Sequence, residues 1–248
     1  MRRSTSWMSK VEVSTFPISV KASSSSMVRC NRTSSSPLPR MADTHNAPSA
    51  LILASASPRR QKLLASAQIA FTVDAPEVDE SLLPGETPQA AAERLAAAKA
   101  EEVLGRNPGA LVLAADTLVA LGSEILGKPA SPEEAEAMLA RLSGRSHEVI
   151  TGVALFGEDR QERFHVRTEV EFRELHPEEI RAYVQSGEPL DKAGAYGIQG
   201  GAAGFVRAIR GSYTNVVGLP LAECVERLGS RMGRFAGQRS IARPPRAP

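Results

Sequence analysis

LILASASPRR, residues 51–60, decides the fold class. Leu51-Ile52-Leu53-Ala54 is an apolar run of the kind that starts a buried strand. Ser57-Pro58 is a helix start, with Ser at the N-cap and Pro at the first helical position. A strand that turns into a helix within ten residues points to an α/β architecture. Arg59 and Arg60 follow at once, in the first helical turn. The N-terminal end of a helix carries partial positive charge and disfavours cations by a few tenths of a kcal/mol or more. Two arginines are welcome there if they and the helix end share an anion. Otherwise they point sideways into solvent or to nearby carboxylates.

Further along the chain, strand and helix signals alternate. Helix Pro58–Ala67 and a short strand at Ala70–Asp74 precede a long helix, Thr87–Leu104, opened by Thr87-Pro88 and closed by Gly105. Ala110–Leu121 is apolar almost throughout and is expected to be buried on both faces. Ser131-Pro132 opens a helix over Pro132–Leu142. Strands are expected at Glu148–Phe156 and Phe164–Leu175, then a helix at Pro177–Gln185 and a Gly-rich segment at Glu188–Gly204. Phe205–Ile209 and Tyr213–Val217 flank Arg210-Gly211-Ser212, which suggests a hairpin. Leu219–Leu228 is the last helix. There is no internal repeat.

The 248 residues suffice for one large domain or two small ones. Of 30 basic and 28 acidic residues, seven and one lie in residues 1–40, and five and none lie from Gly229 onward. Residues 41–228 keep 18 basic and 27 acidic residues, a net of −9. That balance argues against stable nucleic-acid binding, which rests on clustered positive charge. An anionic ligand needs a local basic pocket. Only Cys224 of the two cysteines lies in the core, and the four histidines lack metal-ligand spacing, so no Cys- or His-based metal site is expected. No apolar run approaches the roughly 20 residues that span a membrane.

Residues 1–48 carry twelve Ser in the first forty and no sustained apolar period. The composition fits either an organellar transit peptide or a non-native extension upstream of a start at Met41. The Ala- and Arg-rich core has a bacterial character, which favours the second. The domain is then expected over residues 49–228, with a disordered basic tail over residues 229–248.

Asp116, within LVLAADTLVAL, is the sharpest chemical signal. A carboxylate in such a strand is costly to bury unless it is paired or opens into a cleft. It caps a backbone, pairs an arginine, binds a metal or acts as a base. Lys128, in GKP, is held extended before proline; alone it is a surface lysine. Lys99, in RLAAAKA, either snorkels to water or reaches an anion. Asp79 and Glu80, in PEVDES, are adjacent carboxylates that are solvated or hold a divalent cation. The segment EPLDKAGAYGIQGGAAGF (188–205) allows close backbone approach, as around a ligand, and is too apolar for a solvated linker. Its Gln199 amide suits the edge of a nucleobase. There is no GxxxxGK[ST], no strand-anchored GxGxxG and no GxSxG. The inventory fits a triphosphate pocket with a divalent metal and does not fit acyl transfer.

SASPRR (55–60), AADT (114–117), LGKP (126–129), LSGRSH (142–147), EPLDKAGAYGIQG (188–200) and SYTNVVGLP (212–220) together resemble the Maf family of nucleotide pyrophosphatases, from about Leu51 to Leu228. The resemblance implies a two-lobed α/β domain with a long twisted mixed sheet, flanking helices and a central cleft. It implies hydrolysis of a nucleoside triphosphate to the monophosphate and pyrophosphate, with Mg²⁺ or Mn²⁺, in a cytoplasmic homodimer. Asp116 corresponds to the catalytic carboxylate. Ser55, Arg59, Lys99 and Lys128 correspond to phosphate-binding residues, and Arg59, Thr117 and Gln199 to positions associated with substrate choice. Asp79 or Glu80 corresponds to an acidic residue that assists Asp116 at the metal. DKAGAYGIQG is similar to the dTTP/UTP subgroup. The alternatives are a pyrophosphatase for 7-methyl-GTP or other modified nucleotides, and a nucleotide-binding module that regulates cell division.

Overall fold

The computed structural model describes residues 50–229 apart from residue 159, and of Arg160 the backbone alone. The expectations for residues 1–48 and for the tail lie outside the described residues, except at Gly229, which ends the last helix. The expected strand–helix start is present. β1 (Leu51–Ala54) is buried at all four positions, and α1 (Pro58–Ser66) begins after three intervening residues. Ser57 occupies the N-cap position without a side-chain cap bond; its N–H donates to Ser55 Oγ at 3.2 Å.

After β2 (Thr72–Val73) comes α2 (Pro88–Arg106), capped by Thr87 Oγ1, which accepts the Ala90 N–H at 3.3 Å. β3 (Leu111–Leu121) and β4 (Glu124–Leu126) lead to α3 (Pro132–Leu142), where Ser131 Oγ accepts the Glu134 N–H at 3.2 Å. β5 (Ser146–Gly157), β6 (Arg160–Phe172) and α4 (Pro177–Gln185) follow. The Gly-rich segment folds as three short 3-10 turns, Glu188–Asp191, Ala193–Ala195 and Gly201–Phe205. The described chain closes with β7 (Val206–Arg210), α5 (Tyr213–Val217) and α6 (Leu221–Gly229).

The seven strands form one mixed sheet in the order β2-β1-β3-β5-β6-β7, with β4 added to β3. β1 runs parallel to β2 and β3, and the remaining pairs are antiparallel. β5 covers one edge of β3 from Val112 to Ala120. The other edge is shared. β1 pairs with Leu111–Ala114, and β4 pairs with Val119–Leu121. Between them, Ala115 to Leu118 have no strand partner on that edge among the described residues. The sheet is open there, and Asp116 lies in the opening.

The apolar core lies in separate clusters about this opening. α2 covers one face of β1, β3 and β5 with Ala96, Ala97, Ala100 and Val103, against Ile52, Ala54, Val112, Ala114, Ala154 and Phe156. α1 and α6 cover the opposite face with Leu64, Cys224 and Leu228, against Leu51, Leu53, Leu113 and Leu155. A third cluster unites α3 and α4 with Phe172 and Phe205.

Gly152 sets the depth of α2. It sits opposite Asp116 in the β3–β5 register, and a Cβ there would lie 2.2 Å from the carbonyl carbon and oxygen of Ala92. The helix backbone therefore rests directly on the strand backbone, as a strand glycine permits.

Two expectations are overturned. Tyr213–Val217 is the helix α5, so Arg210-Gly211-Ser212 turns no hairpin. Ser212 Oγ accepts the Asn215 N–H at 3.2 Å as a helix cap. The Asn215 side chain is fully buried, donating to Val149 O at 3.0 Å and Thr168 Oγ1 at 2.9 Å. This capping and the Asn215 anchorage outweigh the strand preference of Val216 and Val217. β6 also begins at Arg160 rather than Phe164 and stops at Phe172; its polar first half is held by pairing along β5.

Candidate active site

The opening in the sheet forms the floor of a cleft of about 850 Å³, within the range of ligand pockets. The start of α1, the Gly127-Lys128 loop, the Tyr196–Gly200 loop and the Val216–Gly218 corner form its walls. Asp116 is only 7 % exposed. Its side chain faces α2, because alternate residues of β3 point to opposite faces.

Lys99 of α2 meets it there. Lys99 Nζ lies 2.5 Å from Asp116 Oδ1 and 2.6 Å from Glu80 Oε1. Lys128 Nζ donates to the other oxygen of Glu80 at 3.1 Å. The result is a chain of alternating charge along one wall of the cleft: Asp116, Lys99, Glu80, Lys128. Burial pushes the Glu80 carboxyl up, but the hydrogen bonds and charges of Lys99 and Lys128 outweigh it, and the group is held down at about 2. Of the two adjacent carboxylates, then, it is Glu80 that reaches the site. Asp79 turns back on Ser81, accepting its N–H at 2.9 Å and its hydroxyl at 2.6 Å.

Both arginines line the cleft, but they are held differently. Arg60 turns into the fold, where its Nε donates to Gly218 O at 2.8 Å and its Nη2 to Thr117 Oγ1 at 3.1 Å. Its Nη1 reaches Ser55 Oγ at 3.4 Å. Burial lowers the Arg60 pKa, partly opposed by the charge of Asp116. Among the described residues neither arginine has a carboxylate within ion-pair distance. Thr117 points away from Asp116 to the α1 side, where its Oγ1 lies 3.0 Å from Thr151 Oγ1. Ser55 is 4 % exposed and sits beneath the cleft rather than on its lining.

Gln199 is exposed and lines the cleft from the Gly-rich segment. The glycines around it approach a group of the chain itself. A Cβ on Gly200 would fall 1.9 Å from Glu188 Oε1. That carboxylate accepts the Tyr183 hydroxyl at 3.0 Å and the Gly201 N–H at 2.9 Å. The expectation that these glycines make way for a ligand is corrected at Gly200, where they make way for Glu188. Behind the cleft, Tyr196 OH lies 2.8 Å from His147 Nε2, and burial holds the His147 pKa down at about 4.

Among the described residues no group of three or more His, Cys, Asp or Glu is gathered as a metal cluster. Glu80 and Asp116 do converge on one point, the one that Lys99 Nζ touches. Two hard carboxylate oxygens fit a magnesium-type ion, which takes one or two carboxylates and fills its remaining positions with water and substrate phosphates. Glu188, Tyr183 and Gly152 are features of the site that the sequence did not single out, and the internal role of Arg60 is another. The glycine in the strand opposite Asp116 was the signal for Gly152.

The chain has relatives among known proteins. It is 58 % identical over 175 residues to the dTTP/UTP pyrophosphatase of Myxococcus xanthus (strain DK1622), covering 71 % of this chain and 89 % of that protein. The proteins of that name from Symbiobacterium thermophilum and Geotalea uraniireducens are 56 % and 55 % identical, over 72 % and 75 % of this chain and 92 % and 97 % of their own. Among solved structures, the Staphylococcus aureus Ham1 protein aligns at a TM-score of 0.36 and 17 % identity, over 50 % of this chain and 71 % of that one. The model of the Maf family, described as Maf-like protein, matches residues 50–231, and with more than half of its length inside that match this chain belongs to the Maf family.

Proposed function

We propose that this protein is a nucleoside triphosphate pyrophosphatase that hydrolyses dTTP and UTP to the monophosphate and pyrophosphate. One observation carries the reading: the Asp116–Lys99–Glu80–Lys128 chain lies on the floor and wall of the cleft, at the open edge of β3. The relatives bearing that activity in their names support the choice of substrate.

Hydrolysis at the α-phosphorus asks for an in-line water and for neutralised phosphate oxygens. Positioning and electrostatics therefore dominate. Asp116 orients the water and takes its proton. Lys99 and Lys128 stand on the wall where phosphate oxygens need cations. Arg59 adds a charge that is in no ion pair among the described residues, beside the start of α1, where helix N–H groups favour an anion. That is our answer to the arginine pair: Arg59 serves the ligand, and Arg60 ties Ser55, Thr117 and Gly218 into the wall behind it. Gln199 offers an amide to the base edge. Glu80 and Asp116 would hold the divalent cation, Mg²⁺ or Mn²⁺, which when bound neutralises phosphate charge and makes water more acidic. A homodimer in the cytoplasm belongs to the same reading.

The test is pyrophosphate release by the full chain with Mg²⁺ or Mn²⁺, against dTTP, UTP, CTP, GTP, 7-methyl-GTP and ATP. Turnover is expected for dTTP and UTP. Asp116→Asn should cut it by about 10²–10⁴-fold, the usual worth of a positioned base, with thermal unfolding still cooperative. Release from 7-methyl-GTP alone would reassign the substrate, and an active Asp116→Asn enzyme would remove Asp116 from its role.

A further inference from the structure

The Tyr196–Gly200 loop is tied down by a carboxylate that the reaction does not use. Glu188 Oε1 accepts the Tyr183 hydroxyl at 3.0 Å, and that hydroxyl in turn accepts the Gly197 N–H at 3.1 Å. Glu188 Oε2 accepts the Gly201 N–H at 2.9 Å. The two groups thus hold the backbone on both sides of Gln199, two residues before it and two after. Lys192 Nζ donates to the Glu188 carbonyl at 2.5 Å and closes the base of the loop.

The glycines record the same contact. A Cβ at Gly200 would meet the Glu188 carboxyl at 1.9–2.5 Å, and one at Gly201 would meet the Tyr183 ring at 3.0 Å. One at Gly197 would meet Lys192 Cε at 2.8 Å and Glu188 Oε1 at 3.2 Å. These residues are small because Glu188 and Tyr183 fill the space inside the loop. A clamp of this form fixes the backbone from which the Gln199 side chain extends. That side chain is exposed and has no hydrogen bond among the described residues.

We propose that Glu188 and Tyr183 are positioning residues for nucleobase choice, clamping the loop so that the Gln199 side chain extends from one fixed place beside the base. The proposal rests on the pyrimidine triphosphatase reading above. Uracil and thymine present a carbonyl acceptor and a ring N–H donor where cytosine presents an amino donor and a ring acceptor. A Gln amide carries both kinds of group. It discriminates best when the backbone that carries it stands at one distance from the base edge, within reach of both groups at once. Neither Glu188 nor Tyr183 has to touch the reacting phosphate for this.

The experiment compares kcat and KM for dTTP, UTP and CTP in the full-length protein and in Tyr183→Phe. The substitution removes one oxygen and keeps the ring, which packs edge-on against Phe205 at a centroid distance of 5.3 Å. We expect dTTP-over-CTP selectivity to fall about tenfold, through a raised KM for dTTP, with kcat for dTTP within about twofold of wild type. Glu188→Gln, which keeps the shape but only one acceptor oxygen, should shift selectivity in the same direction and guards against a folding defect in the first variant. In a Gln199→Ala background, Tyr183→Phe should cause no further loss of selectivity, because the two act in series. Unchanged selectivity in both variants, or an equal loss for all three nucleotides, overturns the proposal. So does a selectivity loss that repeats in full without the Gln199 amide. A wild-type protein that hydrolyses none of the nucleotides refutes the functional reading and this proposal with it, whereas an active enzyme with unaltered selectivity in the variants refutes this proposal alone.

Discussion

Gly152→Ala should slow turnover without touching any residue of the cleft. The added Cβ would lie 2.2 Å from the Ala92 carbonyl carbon and oxygen and 2.5 Å from the Glu93 nitrogen. Each of these is backbone, so no side chain can swing aside. Reaching an ordinary contact of 3.4 Å requires α2 and β5 to part by about 1.2 Å. Ala92 lies two turns before Lys99 on the same buried face of α2, so the lift is carried to Lys99. Its 2.5 Å contact with Asp116 is then stretched, since Asp116 stands on β3 opposite Gly152 itself. Displacements of about 1 Å in a catalytic group cost on the order of 10²-fold in rate. Overpacking should also cost about 1–3 kcal/mol of stability. In a domain of this size that lowers Tm by about 2–4 °C per kcal/mol. The assay is steady-state pyrophosphate release at 25 °C, where the variant remains folded, paired with a thermal melt. Gly105→Ala is the control. It lies in the same helix, its Cβ would meet nothing within 4 Å, and it should leave turnover unchanged. If Gly152→Ala turns over within about threefold of wild type, the depth of α2 does not govern the Lys99–Asp116 contact and the reasoning fails.

Two further outcomes follow from the site and its surroundings. His147 is held at about 4 by burial, below the ordinary 6.5, so between those values the unfolded chain binds the extra proton. Stability should therefore fall as pH drops from about 6.5 towards 4, by up to roughly 3 kcal/mol, and this contribution should level off below 4. Urea midpoints measured across that range should show a shallower slope in His147→Gln, and an identical slope would assign the pH dependence to other groups. Lys128→Ala should separate function from stability. The lysine side chain is 61 % exposed, so unfolding should move by less than about 0.5 kcal/mol while kcat/KM for dTTP falls at least about tenfold. A variant with wild-type kcat/KM would take Lys128 out of the phosphate wall.

The features legible in the sequence are those written in short-range chemistry. A hydroxyl residue followed by proline, before a run of helix formers, marks the start of α2 and α3 because the cap bond is made within three residues. An acid in an apolar strand is conspicuous for a similarly simple reason: a buried carboxylate is costly unless it is paired or the strand opens, and Asp116 has both. What the sequence hides is decided by partners far along the chain. Gly152 is one glycine among many until the register places it opposite Asp116 and beneath the backbone of Ala92. Ser212 and Asn215 make a helix of a valine-rich stretch only because Asn215 finds Val149 and Thr168 to bond. The arginine pair shows the limit most plainly. Arg59 and Arg60 differ by one helical step of about 100°, and nothing local says which of them enters the fold. The Gly218 carbonyl decides it, 158 residues away, by accepting the Arg60 Nε–H. Both arginines line the cleft, but once Arg60 is committed to Gly218, Thr117 and Ser55, Arg59 is the one left with its guanidinium unpaired among the described residues. A cation kept unpaired at the mouth of a site gives up little when it meets a phosphate, since it has no internal ion pair to break. Of the two arginines, the one that the fold uses least is the one best able to serve the ligand.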